Sequence, residues 1–471
     1  MGDGDRVALI SYNSHRYVEF LFAPQWGGGV AVPINHRLSI QELIAQLRDC
    51  EPVVLLVDRS FHQCAEPLLK EVPSISHVLF ADDGPVPDGL ADYEAALADA
   101  TPVEASARAD DDLACLFYTG GTTGQGKGVM LSHDNIYSYG LNLVALLGLD
   151  EESVHFHCGP LFHVAPGVRI FAASIAAARH VVLDKFSPAR ALAEIERCKV
   201  TVATFVPTMI GMLLRLRDFA RYDLSSLKVV TYGGAPMPEA VVRELMERLP
   251  GVSLGQLYGQ TEVSPCTFLS PRDHTAGYAD GRLLRSGGRA VFSAEVRIVD
   301  ATDSEAPHGE VGEIVARGPM MMKGYWRNAT LTAQALRGGW MHTGDAGYMD
   351  DDGYLFVVDR VKDMIVSGGE NVYSIEVENV IHKHPDIYQC AVIGIPEDLW
   401  GEAVHAIVVL REGRSIEPEA IIDFCRVRIA HYKCPRSVEI SLEPLPLSGA
   451  NKINKVALRH KYWGGKVRKV N

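Results

Sequence analysis

The chain is 471 residues long, too long for one core, and its 47% hydrophobic and 22% charged residues fit an ordinary globular protein of roughly three domain-sized units. A formal net charge of −14 with no basic stripe to offset it argues against a nucleic-acid partner. Nine cysteines, scattered and without a C-x-x-C pair, predict buried thiols in a reducing compartment, with neither disulfides nor zinc.

The opening MGDGDRVALI lacks the basic and apolar regions of a targeting signal. The longest apolar run, between Arg169 and Arg179, is about half of what spans a bilayer, so the expectation is a cytoplasmic protein with no transmembrane segment. Ser39 is placed to cap a helix over LSIQELIAQLRDC, with Glu42 completing a capping box and Pro52 beyond its end. Further on, Ser187-Pro188 opens ARALAEIERCK, VTVATFVP (200–207) follows as a strand, LKVVTY (227–232) runs into Gly233-Gly234, and Pro238-Glu239 opens EAVVRELMERL. Strand and helix alternate here as they do in a parallel sheet, which binds ligands in the loops at the carboxyl ends of its strands. After about residue 285 the pattern changes to short strands and tight turns, predicting an antiparallel β subdomain at 285–360. A compact α/β segment follows from Lys362, with helices expected over 375–383 and 417–429.

Between the first strands lies LFYTGGTTGQGKGVMLSH (116–133), which contains the G-x-x-x-x-G-K of a phosphate loop. A Walker A loop needs Ser or Thr after the lysine and a helix behind it. Here Gly128-Val-Met-Leu predicts extended chain, and the next helix cap is Ser132, so the loop joins strand to strand. Its hydroxyls, its main-chain N–H groups and Lys127 are suited to a polyphosphate all the same.

This stretch resembles the Thr/Ser/Gly-rich signature of the adenylate-forming acyl-CoA synthetases, relatives of firefly luciferase and of nonribosomal adenylation domains. The resemblance continues in order through PLFH (160–163), YGGAP (232–236), LYGQTE (257–262), HTGD (342–345), DRVKDMIVSGGENVYSIEVE (359–378) and PLSGANKINK (446–455), and covers essentially the whole chain. It departs at Gly126, where proline is usual, at Gly121, where serine is common, and at Asn451, where glycine is usual. It implies an α/β fold: a large N-terminal domain (1–360) of parallel-rich sheets with helices and the antiparallel subdomain, and a small mobile C-terminal α+β cap (361–471) hinged near Lys362. The family pattern also includes a helix and hairpin ahead of GDRVAL.

The implied activity is ATP-dependent ligation of a fatty or aryl carboxylic acid to CoA through an acyl-adenylate, releasing AMP and pyrophosphate. ATP, Mg²⁺ and CoA are the implied cofactors and co-substrate, and a homodimer is left open. By the resemblance, Thr119, Gly121, Thr122, Thr123, Gly124 and Lys127 enclose the β- and γ-phosphates. Gly234, Ala235, Pro236 and Tyr258 form the adenine slot, Thr261 serves the α-phosphate, Glu262 the Mg²⁺, Asp345 the ribose hydroxyls, and Arg360 the ribose and phosphate. Lys452 is the catalytic lysine of the first step, with Lys455 as the competing candidate, and Asn451 is expected to tolerate a positive φ before it. Gly368, Gly369 and Lys433 are placed toward CoA, with Arg436 beside them. His163 is the gate beside the acyl carboxylate, and Tyr232, Gly233 and Gly259 belong to the acyl pocket, where glycines at 233, 255 and 259 would leave room for an elongated or aromatic acid. Read alone, Arg360 and Lys362 would be surface ion-pair residues and His163 a core histidine. His155 and His157, two apart on a strand, lack a third metal ligand.

VAPGV (164–168) lacks the aspartate by which amino-acid adenylation domains hold an ammonium group, which favours a plain carboxylic acid. An acyl-AMP ligase, a luciferase-like or carrier-loading enzyme, and a non-catalytic AMP-binding homologue remain as alternatives.

Overall fold

The computed structural model describes residues 2–119, 126–360, 363–367, 370–397, 401–449 and 451–464. An eight-stranded sheet carries the first part of the chain, with strands Arg6–Ile10, Val30–Pro33, Pro52–Val57 and His77–Phe80 parallel to one another. Ala8, Leu9 and Ile10 are fully enclosed, because a parallel strand is covered on both faces and so needs an unbroken apolar run rather than an alternating one. A seven-stranded sheet follows, with Val154–His157, Arg179–Val182, Val202–Phe205, Val229–Gly233 and Ser253–Gln260 parallel and Val263–Leu269 antiparallel along one side. The helices His133–Leu147 and Val164–Ile175 lie against each other so closely that a Cβ on Gly140 would come within 2.6 Å of Ile175 Cδ1. One core cluster joins them to both sheets, through Leu9 and Phe117 on one side and Leu257 and Cys266 on the other. Each fully buried Leu or Phe there contributes about 1.5–3 kcal/mol.

The local signals act as the sequence predicts. Ser39 accepts from Glu42 N and Glu42 answers with a carboxylate on Ser39 N (2.8 Å), so the capping box closes and Ile40–Cys50 is helical. Pro188 opens the helix Pro188–Cys198, where the missing N–H costs nothing. On either side of 120–125, Leu113–Thr119 pairs antiparallel with Lys127–Ser132, and Ser132 then caps His133–Leu147 with its own capping box. After residue 285 comes a four-stranded antiparallel sheet of Glu295–Val299, Gly312–Arg317, Met341–Met349 and Leu355–Arg360. The last part of the chain builds a five-stranded sheet of Ile365–Ser367, Glu370–Val372, Ile387–Glu397, Gly401–Leu410 and Ser437–Ser441, with a separate core around Val377, Val392, Val404 and Ile421.

Two expectations are corrected. The helix expected over 417–429 spans only Pro418–Arg426, because Arg428 N turns back onto Cys425 O (2.8 Å). All nine cysteines are free, but Cys64 and Cys198 are partly exposed rather than buried, as they sit at a short helical turn and at a helix end. No helix among the described residues is long and apolar enough to cross a membrane.

Candidate active site

The carboxyl end of the strand Ser253–Gln260 meets Asp345. That residue lies on Met341–Met349 just after Gly344, whose φ of +67° puts a left-handed kink into the strand, so the H-T-G-D segment is a bulged strand and not a turn. The carboxylate is 5% exposed. Its Oδ2 accepts from Tyr258 Oη (2.9 Å) and Gln260 Nε2 (2.8 Å), and its Oδ1 meets Arg360 Nε (2.8 Å). A carboxylate has about four acceptor positions, so room is left for a further donor. Burial first, and the Asp345 charge second, push the Tyr258 phenol up, so it stays a protonated donor. Against partial desolvation, the Asp345 carboxylate holds the half-exposed Arg360 above its usual range.

Beside this cluster Tyr325 links two residues of the predicted phosphate site. Its hydroxyl donates to Glu262 Oε1 (2.8 Å), while Lys127 Nζ stands 5.3 Å from its ring centroid. Thr119 faces Lys127 in register across the base of the phosphate loop, and Thr261 forms the hairpin turn before Glu262. The remaining predicted phosphate residues, Gly121, Thr122, Thr123 and Gly124, lie outside the described residues, as do Lys362, Gly368 and Gly369.

Lys452 reaches the same place from the other end of the chain. A Cβ on Gly234 would lie 3.3 Å from Lys452 Cε and 3.5 Å from its Nζ, which puts the ammonium over Gly234, and the φ of +77° there is the conformation that favours glycine. Gly234 and Pro236 are exposed and Ala235 half-buried, which makes 234–236 a main-chain shelf above the strand Val229–Gly233. Burial lowers Lys452 to about 8, repulsion from Arg360 adds to the fall, and Asp345 and Glu262 oppose it. Lys455 does something else: its Nζ meets Glu378 Oε1 (2.7 Å) and donates to Ser374 Oγ (2.6 Å), a buried pair internal to the last sheet and its helices.

The loop that carries Lys452 is fixed by contacts that sequence patterns do not reveal. Arg37 Nη1 donates to Gly449 O (2.7 Å) and Asn451 Oδ1 (3.1 Å), and Thr208 Oγ1 donates to Asn451 O. Asn451 takes φ +58°, the left-handed conformation that its short amide side chain tolerates. His163, the N-cap residue of Val164–Ile175, bonds the Gly449 main chain and is lowered to about 4, first by burial, then by Lys452, Arg37 and His36, so it is neutral at pH 7. Its Nε2 is buried with no partner among the described residues.

The acyl-pocket expectations fare less well. Tyr232 is fully buried and bonds His274 Nε2 (2.9 Å), so its side chain belongs to the core and not to a pocket wall. Where a side chain would leave Gly233 stands Leu257 O, at Gly255 the Phe268 ring and at Gly259 Ser264, so the missing side chains permit close packing rather than open a pocket there. Lys433 donates to both oxygens of Glu376 (2.8 Å each), at the edge of a cleft of about 260 Å³ between Glu239 and Arg285 on one side and Lys383 and Arg428 on the other. Gln260, Tyr325, Arg37 and Thr208 were not predicted; Gln260 lay in view inside LYGQTE, whereas the other three carry no local signal.

Residues 1–326 match the family model described as AMP-binding enzyme, and residues 376–452 match the AMP-binding enzyme C-terminal domain. The chain belongs to the AMP-binding enzyme family. Among relatives of this AMP-binding enzyme, a feruloyl-CoA synthase from Amycolatopsis sp is 36% identical over 466 residues, covering 98% of this chain and 89% of the relative. Two solved structures share its fold at a TM-score of 0.89. One is the amide bond synthetase McbA from Marinactinospora thermotolerans, 32% identical, covering 98% of this chain and 90% of that one. The other is ATP-bound MatB from Rhodopseudomonas palustris, 31% identical, covering 98% and 89%.

Proposed function

We propose that this AMP-binding enzyme is an ATP-dependent carboxylic acid–CoA ligase. The acid attacks the α-phosphorus of ATP, pyrophosphate leaves, and the thiol of CoA then displaces AMP from the acyl-adenylate. The observation that carries the reading is the meeting of Lys452, Arg360, Asp345 and Glu262 at the Gly234 shelf, because a carboxylate attacks a polyanion only where positive groups gather the phosphate charge. The family match and the likeness to an ATP-bound enzyme support ATP as co-substrate. The likeness to a relative named for CoA ligation supports CoA as the acceptor.

In this reading Asp345 takes the ribose hydroxyls, Tyr258 and residues 234–236 flank the adenine, and Thr119, Lys127 and the glycine- and threonine-rich loop 120–125 hold the leaving pyrophosphate. Thr261 and Lys452 meet the α-phosphate, and His163 sits beside the acyl carboxylate. Glu262 would hold Mg²⁺. One hard oxygen donor suits an ion that arrives on a triphosphate and keeps several waters, and no cluster of three or more acidic, His or Cys ligands occurs among the described residues to hold one otherwise. Such an ion would neutralise phosphate charge. We place the boundary between the large part and the cap at 360/361, with Lys362 as the pivot and Gly368, Gly369 and Lys433 on the side that receives CoA.

The test is AMP and thioester release from ATP, Mg²⁺ and CoA with short, medium and long fatty acids and cinnamic-type acids. Equimolar AMP and thioester are expected for at least one class. Nucleotide binding without AMP from any acid would end the reading. The likeness to McbA favours one second reading, an amine as acceptor; AMP release with amide and no thioester would select it.

A further inference from the structure

Arg169 is a buried cation without a counter-charge among the described residues. It lies on the helix Val164–Ile175, whose N-cap is His163, and is 4% exposed. Its Nε and Nη1 have no hydrogen-bond partner among the described residues, and the one neighbour that favours its charge is the hydroxyl of Tyr139 rather than a carboxylate. A guanidinium does not release its proton in a protein, so the charge persists where burial penalises it. Structural buried charges are paired, and this one meets no carboxylate among the described residues.

Two imidazoles, His155 and His157, lie within reach of its charge, and a third, His180, continues their stack. His155 stacks on His157 (4.6 Å between centroids) and His157 on His180 (5.1 Å), with His157 Nε2 3.0 Å from His180 Nδ1 and His180 Nε2 3.2 Å from Ser174 Oγ. Both ring nitrogens of His155 are without a partner among the described residues. Burial lowers all three, His155 to about 3, and Arg169 lowers His155 and His157 further, so at pH 7 they are neutral and offer N–H groups without adding charge.

The helix aims this group at the reacting end of the candidate site. Ala165, one turn before Arg169 and on the same face, is exposed, whereas Arg169 is enclosed. That face is therefore open beside His163 and closed at Arg169. Side chains on a helix lean toward its N-terminus, here toward His163 and the Lys452 loop. Six residues of helix rise about 9 Å, which is the axial separation of the two main-chain positions.

We infer that Arg169, with His155, binds a second acidic group at the far end of the substrate, so that the acid activated here carries a distal carboxylate or an equivalent anion. An axial separation of about 9 Å corresponds to a straight diacid of roughly six to eight carbons, or a ring of similar reach. The inference rests on the acid-activating reading above.

Suberate and its monomethyl ester differ at the far end only in charge, and AMP release with ATP and Mg²⁺ is measured for both. The diacid is expected to have a kcat/KM at least about tenfold higher, the scale of one hydrogen bond to a buried charged group. In Arg169→Met the preference is expected to pass to the half-ester. Equal kcat/KM for the two acids in the unaltered enzyme, or an unchanged preference in R169M, overturns the inference and leaves acid activation standing. If no acid in the wider panel yields AMP, the activation reading fails, and binding decides the inference separately. With a non-hydrolysable ATP analogue present, suberate is expected to raise the melting temperature of the unaltered protein and not of R169M, and the half-ester to do neither; an equal rise in both proteins overturns it. Removing an unpaired buried charge should also leave R169M melting no lower than the unaltered protein. A lower melting temperature would mean that Arg169 is a structural group, and would equally overturn the proposal.

Discussion

Replacing Lys452 by methionine separates two effects of one ammonium group. A fall from 10.5 to about 8, at about 1.4 kcal/mol per pH unit, means that holding the charged amine against Gly234 and Arg360 costs roughly 3 kcal/mol, less to the extent that solvent reaches the half-buried side chain. The sign follows from a base whose folded value is depressed. The penalty is complete below pH 8 and disappears as pH rises from about 8 to 10.5, where the neutral amine becomes the common form. At pH 7, K452M therefore removes a cost of docking the 446–452 loop, and amides there should exchange up to about a hundredfold more slowly than in the unaltered ligand-free protein. Catalysis moves the other way. A unit charge about 4 Å from the reacting phosphate at an effective dielectric near 20 is worth roughly 4 kcal/mol before desolvation, about a thousandfold in rate. Adenylate formation, followed as pyrophosphate release, should fall by that order in K452M, and in K452A as well. Thioester formation from supplied acyl-AMP and CoA should be retained. In the unaltered enzyme kcat/KM for the first step should decline as pH rises through about 8, while the limb in kcat sits higher, because bound triphosphate favours the charged amine. Equal loss in both half-reactions, or faster exchange of the loop in K452M, would refute the reasoning.

The other expectations concern neighbours of that lysine. Asp345→Asn should raise the KM for ATP about tenfold to a hundredfold, because a buried charged acceptor becomes a neutral one and Arg360 loses its partner; initial rates over a range of ATP measure it. Lys455→Met should lower stability by about 3–5 kcal/mol, seen as a lower melting temperature, because Glu378 is left buried without its cation; adenylation per folded molecule should persist, in contrast to K452M. Arg37→Ala should slow adenylation about tenfold while sparing the thioester step, since it releases Gly449 O and the Asn451 side chain but touches no reacting group; the two half-reactions are assayed separately.

Loops that interrupt a strand–helix alternation are legible because periodicity and glycine mark them before any contact is known. The extended run Gly128-Val-Met-Leu and the cap at Ser132 place residues 120–125 between two strands, and Leu113–Thr119 does pair with Lys127–Ser132. Lys452 is chosen by the resemblance, but Lys455, with only two residues between them, stays a competitor on local sequence. What distinguishes them is tertiary: Asn451 turns the chain into the left-handed region and aims Lys452 at Gly234, while Lys455 begins a helix and meets Glu378. The same blindness led Gly233, Gly255 and Gly259 to be taken for empty space, since the atoms that fill it belong to neighbouring strands or to the far arm of a hairpin. Tyr325 and Arg37 escaped notice because each acts on residues remote in sequence.

The loop before Lys452 rests on two anchors from different sheets. Arg37 follows Val30–Pro33 of the eight-stranded sheet, and Thr208 follows Val202–Phe205 of the seven-stranded one. The lysine thus acts as a gauge of alignment, arriving at its post only when both layers hold their mutual spacing. Mild heating or a cavity at the seam would silence the first chemical step while the polypeptide still looked folded to a spectrometer.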